Sequence, residues 1–258
     1  MSPEEEQKIH QLWDLLVDRP AADSQKTLHL LLSTIAGWAG ASQAYWLGAV
    51  RVATSVQDPA SGWRPRAIQF LHEDEAARYR FSIGSKALET GERSENIIYH
   101  TRRAGKFRSY LRSDITGQLS SGVDPYVQRE KADSISDTLY VVAPVNRDIE
   151  AYFCFHRTDG TTFTTRDRLL ASRTLRGLKW FFRQLMIQHG LLLAEKPLTV
   201  TERRVMTRLV TKLSEKQIAD DLDQKPHTTH QHIKAIYRKF NVNSRAGLLS
   251  IWLGQQPG

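Results

Sequence analysis

Two helix-starting signals stand close together near the end of the chain, and they leave little choice of fold there. Thr199 is followed three residues later by Glu202, and Ser214 by Gln217. In each pair the first side chain accepts from an amide of the first helical turn, and the second reaches back to the amide of the cap. Val205, Met206, Leu209 and Val210 follow the first signal at helical spacing; Leu213, Ile218, Ala219 and Leu222 surround the second. Pro226 opens a third helix, at a first-turn position where a missing N–H is harmless. Its apolar stripe is Ile233, Ile236, Tyr237 and Phe240. The pattern predicts helices over Thr199–Val210, Ser214–Leu222 and Pro226–Phe240, with a fourth over Ser244–Leu253. Asp223-Gln224-Lys225 then joins two short helices as a helix-turn-helix.

The helix after that turn carries Thr228, Thr229, His230, Gln231, Lys234, Arg238 and Lys239 off its apolar stripe. These are hydrogen-bonding side chains on an element narrow enough for the DNA major groove. Residues 198–258 hold 10 Lys/Arg and 5 Asp/Glu, so a net +5 of the whole chain's +8 lies there. Positive charge gathered around a groove-sized helix is the footprint of phosphate binding.

The run also resembles the LuxR/FixJ-type (GerE-like) DNA-binding domain, at Leu198-Thr199, Glu202, Val205, Leu209, Ser214 through Ala219, Leu222, Thr228, His232, Ile236, Lys239, Val242 and Arg245. It departs from the family at Lys212, Asp223 and Asn241, where Gly is common. Gln224 stands in place of an apolar turn residue and Lys225 in place of a capping Ser. The resemblance implies a transcriptional regulator with double-stranded DNA as partner. It places Lys216, Thr228, Lys239 and Arg245 near phosphates and gives base reading to His230, Gln231 and Lys234. The terminal helix is richer in apolar residues than a lone helix needs, so Leu248, Leu249 and Trp252 are the expected homodimer contacts.

The preceding residues read differently. Helices are expected over Glu4–Val17, Gln25–Gly40 and Glu73–Glu89, and strands over Gln43–Val52, Trp63–Leu71, Thr138–Val145 and Ala151–Arg157. A long helix, capped by Thr164 or Thr165, is expected to run to about Gln188. Between Gly91 and Asp137 only short helices are suggested, over Phe107–Leu111 and Gln128–Ala132. The whole is expected to be α+β: an antiparallel-sheet domain over 1–190, a linker over 191–197 and an all-α four-helix domain over 198–258. The order and size of the first part resemble a GAF- or PAS-like sensor domain. Such a domain would hold a small-molecule ligand or mediate dimerisation. Tyr45, Trp46, Phe70 and Tyr140, and with them Tyr152, all on expected strands, are the candidate pocket lining. Leu178, Phe182 and Leu185 on the long helix either cover their own sheet or meet a second copy.

Other functions find less support. A phosphoacceptor receiver domain needs an opening strand that runs into paired acids, and this chain opens with two helices. Asp58-Pro59 and Trp63 resemble part of the acyl-homoserine-lactone sensor pattern, yet a turn explains the dipeptide. An autoinducer-, nucleotide- or other small-molecule-binding first domain, or an enzymatic one, is the alternative reading. No Gly-x-Ser-x-Gly, His-Glu-x-x-His or phosphate loop occurs, so no catalytic residue and no cofactor is expected. His227 and His230 share a helix face without a third ligand, so no metal is expected either. The basic run Arg102, Arg103, Lys106, Arg108 and Arg112 reads as a solvated face. The single cysteine, Cys154, suits a reducing cytoplasm. The acidic start is unlike a secretory signal, and no apolar stretch is long enough to cross a membrane.

Overall fold

The computed structural model describes residues 1–20, 23–52, 57–73, 75–92, 94–116, 124–192 and 198–253. The chain forms two compact units, Met1–Val17 with Leu28–Lys179, and Asp18–Thr27 with Trp180–Gly258. The second unit therefore begins ahead of the expected boundary at 190. Of the expected linker, Leu191 and Leu192 are buried, and 193–197 lie outside the described residues.

In chain order the elements up to 176 are α1 (Pro3–Val17), α2 (Ser24–Ala39), β1 (Gln43–Arg51), β2 (Trp63–Phe70), α3 (Glu75–Glu89), α4 (Glu95–Arg102), β3 (Arg108–Leu111), α5 (Arg112–Thr116), α6 (Pro125–Ala132), β4 (Asp137–Pro144), β5 (Ile149–Arg157) and α7 (Thr165–Arg176). The strands make one antiparallel five-stranded sheet in the order β2-β1-β5-β4-β3. The α+β reading of this part holds. Pairing aligns Phe70, Tyr45, Cys154, Tyr140 and Tyr110 in a single row across all five strands. Successive side chains on a strand point to opposite faces, so Trp46 and Phe153, paired in the next row, lie on the other face. Trp46, Phe153, Phe155, Leu139 and Val141 are buried there.

Two local expectations are corrected. Phe107–Leu111 is not a helix: Arg108–Leu111 is the edge strand β3, paired with Leu139–Val142 of β4. Four residues show too little period to separate helix from strand, and the distant partner decides. The long helix after Thr164 is also broken. Its capping box with Asp167 is present, but α7 ends at Gly177 and α8 (Lys179–Gln188) follows. Gly177 lies against the Trp13 ring, whose indole N–H donates to the Thr174 carbonyl at 2.8 Å. A larger residue would meet that ring.

The remaining elements are α9 (Val200–Leu209), α10 (Glu215–Asp221), α11 (Pro226–Lys239) and α12 (Arg245–Trp252). Both expected capping boxes form, Thr199 with Glu202 and Ser214 with Gln217. Val205, Met206, Leu209, Ile218, Ala219, Leu222, Ile233, Ile236, Phe240, Leu248, Ile251 and Trp252 are the buried apolar residues of these helices and their C-caps. Asp223 and Asn241 have φ of 53° and 52°, the left-handed backbone that a family glycine would supply. Lys212 is not among the described residues with positive φ, so its departure brings no backbone strain.

Candidate functional site

The turn between α10 and α11 is secured from inside. Thr229 is fully buried and donates to the Gln224 side-chain oxygen at 2.9 Å. This corrects the expectation that Thr229 lies off the buried stripe. It also explains how Gln224 is accommodated in place of an apolar turn residue: the polar group it brings in meets a polar partner. Lys225 makes no side-chain cap, and its carbonyl accepts from the amides of Thr228 and Thr229 instead.

With Thr229, Ile233 and Ile236 turned inward, α11 presents Thr228, Gln231 and Lys234 to solvent, with His230 half-buried beside them. His230 and Lys234 are one turn apart and so share a face. Gln231 Nε2 lies 3.5 Å from His227 Nε2. His230 Nδ1 lies 2.9 Å from the Glu215 carboxylate at the start of α10. Lys216 is exposed on the same first turn of α10. Base-contact and phosphate-contact candidates are thus on one helix pair.

The other two phosphate candidates are placed differently. Lys239 Nζ lies 2.6 Å from Glu202 Oε2. Arg245 donates to the Leu213 carbonyl at 2.6 Å and also to that of Thr211. Both cations hold neighbouring helices in register. The expected dimer contacts divide as well. Leu248 and Trp252 are buried by their own chain, Leu249 is half-buried and Leu253 is largely exposed. Leu178, Phe182 and Leu185 are buried too, so they are filled from within the chain rather than left for a second copy.

In the first unit a cavity of about 450 Å³ opens on the sheet face that carries the tyrosine row. Tyr45, Phe70 and Tyr140 line it as expected; Trp46 does not, because the strand period turns it to the opposite face. Tyr152, the other strand aromatic singled out, lines it too; sequence reading missed Trp63, Asn96, His100, Tyr126, Glu130 and Cys154, which also line it. Only the register of the strands and the packing of α4 and α6 assemble them. Tyr126 and Tyr140 share a hydroxyl–hydroxyl bond, and the Tyr110 hydroxyl meets the His100 ring. Glu130 accepts from Thr138 Oγ1 at 2.6 Å and from Tyr140 at 3.4 Å. Burial pushes the Glu130 carboxyl above its usual range, against the opposing bonds from Thr138, Arg112 and Tyr126. Burial likewise raises the Cys154 thiol to about 12 and drives the His100 imidazole toward its neutral form. Trp63 Nε1 and Asn96 Oδ1 are buried without a hydrogen-bond partner among the described residues.

The basic run is split by the fold. Arg102, Arg103 and Lys106 are exposed, whereas Arg108 is paired with buried Glu150 at 2.7 Å and Arg112 with Glu130 at 3.4 Å. Asp58 accepts from the amides of Ala60 and Gly62, so Asp58-Pro59 does form a turn. Among the described residues no helix is long and apolar enough to cross a membrane.

Residues 196–251 match a family model described as bacterial regulatory proteins, luxR family. No curated protein sequence matches the chain. Among solved structures, SdiA in complex with octanoyl-rac-glycerol is similar over 100% of this chain and 99% of its own, at 11% identity and a TM-score of 0.47. A crystal structure of Escherichia coli SdiA is similar over 95% of each chain, at 10% identity and a TM-score of 0.44. The VqsR LBD domain from Pseudomonas aeruginosa is similar over 69% of this chain and 96% of its own, at 11% identity and a TM-score of 0.48. The capping boxes, the buried stripe, the polar face of α11 and the family match converge on residues 196–251 as a luxR-family helix-turn-helix domain, and the chain that carries it is a DNA-binding regulator of transcription.

Proposed function

We propose that the protein reads a specific duplex sequence with α11, as a cytoplasmic homodimer that catalyses no reaction, under the control of a small molecule held in the first unit. The observation that carries this reading is the two-sided character of α11: Thr229, Ile233 and Ile236 buried, Thr228, Gln231 and Lys234 exposed. A helix built this way offers its N-terminal half to base edges. Gln231 suits the paired donor and acceptor of adenine, and Lys234 the acceptors of guanine. His230 completes the readout. Lys216 and Thr228 meet phosphates, while Lys239 and Arg245 hold α9, α11 and α12 together behind the reading face.

Binding of the full chain to a selected duplex tests this. Several phosphate contacts imply a loss of roughly a thousand-fold in affinity between low and physiological salt. Gln231→Ala and Lys234→Ala should each weaken the cognate site by about 1–3 kcal/mol and flatten the preference at one base position. Lys216→Ala should weaken all sequences alike. If the two α11 variants keep the wild-type preferred sequence and lose only overall affinity, the assignment of readout to them is wrong.

The cavity supports the regulatory half. Its size fits a small ligand, and its walls are apolar with a few convergent polar groups. Neither the raised Glu130 nor the neutral-leaning His100 favours a charged guest. A neutral molecule with an apolar body and a head that both donates and accepts hydrogen bonds matches these walls, and Trp63 Nε1 and Asn96 Oδ1 add one donor and one acceptor to them. Native mass spectrometry of the purified protein, before and after Tyr140→Ala, reads out whether such a molecule is carried. The dimer is assigned to α12, where Leu249 and Leu253 remain at the surface over the packed Leu248 and Trp252. Sedimentation of the full chain with and without duplex checks it.

A further inference from the structure

We propose that Glu215 decides which bases His230 accepts, by holding its imidazole in one tautomer; this rests on α11 being the DNA-reading helix. Glu215 is the first residue of α10, just after the Ser214 cap, and its Oε2 lies 2.9 Å from His230 Nδ1. An ionised carboxylate only accepts hydrogen bonds, so the ring nitrogen facing it carries the hydrogen. In the neutral imidazole the other nitrogen, Nε2, is then an acceptor. The ring cannot turn over without giving up the bond to Glu215. The two side chains are 44% and 49% exposed, so the ring remains within reach of a molecule docking on α11.

An acceptor at this place on the helix selects bases by their exocyclic amines. In the major groove adenine offers N6–H and cytosine N4–H, whereas guanine and thymine turn the O6 and O4 acceptors outward. His230 therefore favours adenine or cytosine and is repelled by guanine or thymine. Lys234, one turn further on, has only donors and prefers the opposite set. The pair thus gives α11 an acceptor and a donor four residues apart, which reads direction along the groove as well as composition.

Selection from a randomised duplex at pH 8 tests the proposal with the full chain and its Glu215→Ala, Glu215→Gln and His230→Ala variants. Wild type should enrich adenine or cytosine at a position that His230→Ala leaves random, and Glu215→Gln, whose amide can either accept from or donate to Nδ1, should enrich them less. Glu215→Ala should admit guanine and thymine there, its preference falling from about ten-fold to about two-fold, with the other positions unchanged. A wild-type preference for guanine or thymine at that position overturns the proposal, as does a wild-type profile in Glu215→Ala. A preference kept by His230→Ala removes His230 as a reader. Failure of the wild-type chain to select any duplex counts against the reading function itself. If Glu215→Ala does not fold, the wild-type protein on its selected duplex suffices: a base analogue lacking only the exocyclic amine should bind about ten-fold more weakly, and equal affinity overturns the assignment.

Discussion

The Lys239 ammonium lies 2.6 Å from the Glu202 carboxylate, so the last turn of α11 is tied to the first turn of α9. The same carboxylate accepts from the Thr199 amide at 2.7 Å to close the capping box. One side chain thus starts one helix and anchors the end of another.

Burial pushes the Glu202 carboxyl up, but the bonds from Lys239 and Thr199 outweigh it and hold it below its ordinary 4.5. A depressed carboxyl stabilises the fold fully above the unfolded value and loses that contribution as pH falls through the folded one. Melting of wild type and Glu202→Ala should differ by about 1 kcal/mol at pH 7, the usual net worth of a lost hydrogen bond. The difference should shrink as pH drops below 4.5. A gap that stays constant down to pH 3 would remove the ionised carboxylate from the account.

Glu130 in the first unit should behave in the opposite sense. Its carboxyl is raised above 4.5 by burial. A raised acid binds its proton more tightly when folded, so stability declines as pH climbs from the unfolded value through the folded one. Melting of Glu130→Gln should lack this decline and approach or exceed wild type at pH 8. A wild-type curve that rises across that window, with Glu130→Gln parallel to it, would contradict the burial argument.

Gly177→Ala should destabilise the first unit. An added Cβ would come within 2.6 Å of Trp13 Cζ2, in the rigid ring rather than at the end of a flexible chain. Overpacking of this kind costs typically about 1–3 kcal/mol. Calorimetry of the variant should show that loss, and Gly177→Ala combined with Trp13→Leu should recover part of it.

Cys154 should be inert in the folded protein. It is buried, and its thiol is pushed up to about 12, so little thiolate exists at pH 8. A disulfide reagent should modify it at the rate of unfolding, and at once in denaturant. Fast labelling of the native protein would mean that the cavity admits the reagent to a thiolate.

Capping and helical period were enough to locate α9 to α12, because a cap acts over three residues and a stripe over one turn. Asp223 and Asn241 could be matched to left-handed positions only through the resemblance, because Gly is common there in the family. Strand period alone puts Tyr45 and Trp46 on opposite faces, but only pairing with β5 showed that the cavity lies on the Tyr45 side. Nor could it recognise Arg108–Leu111 as a strand, since Tyr110 acquires that conformation by lying opposite Tyr140. Leu248 and Trp252 were legible as apolar but not as already satisfied, and Lys239 and Arg245 as cations but not as spoken for. The chain's own order determined that the last quarter would be four helices, and where α9 and α10 begin. Their burial, their ion pairs and the cavity over the tyrosine row were decided by the tertiary structure, because each depends on a partner brought near only when the chain folds.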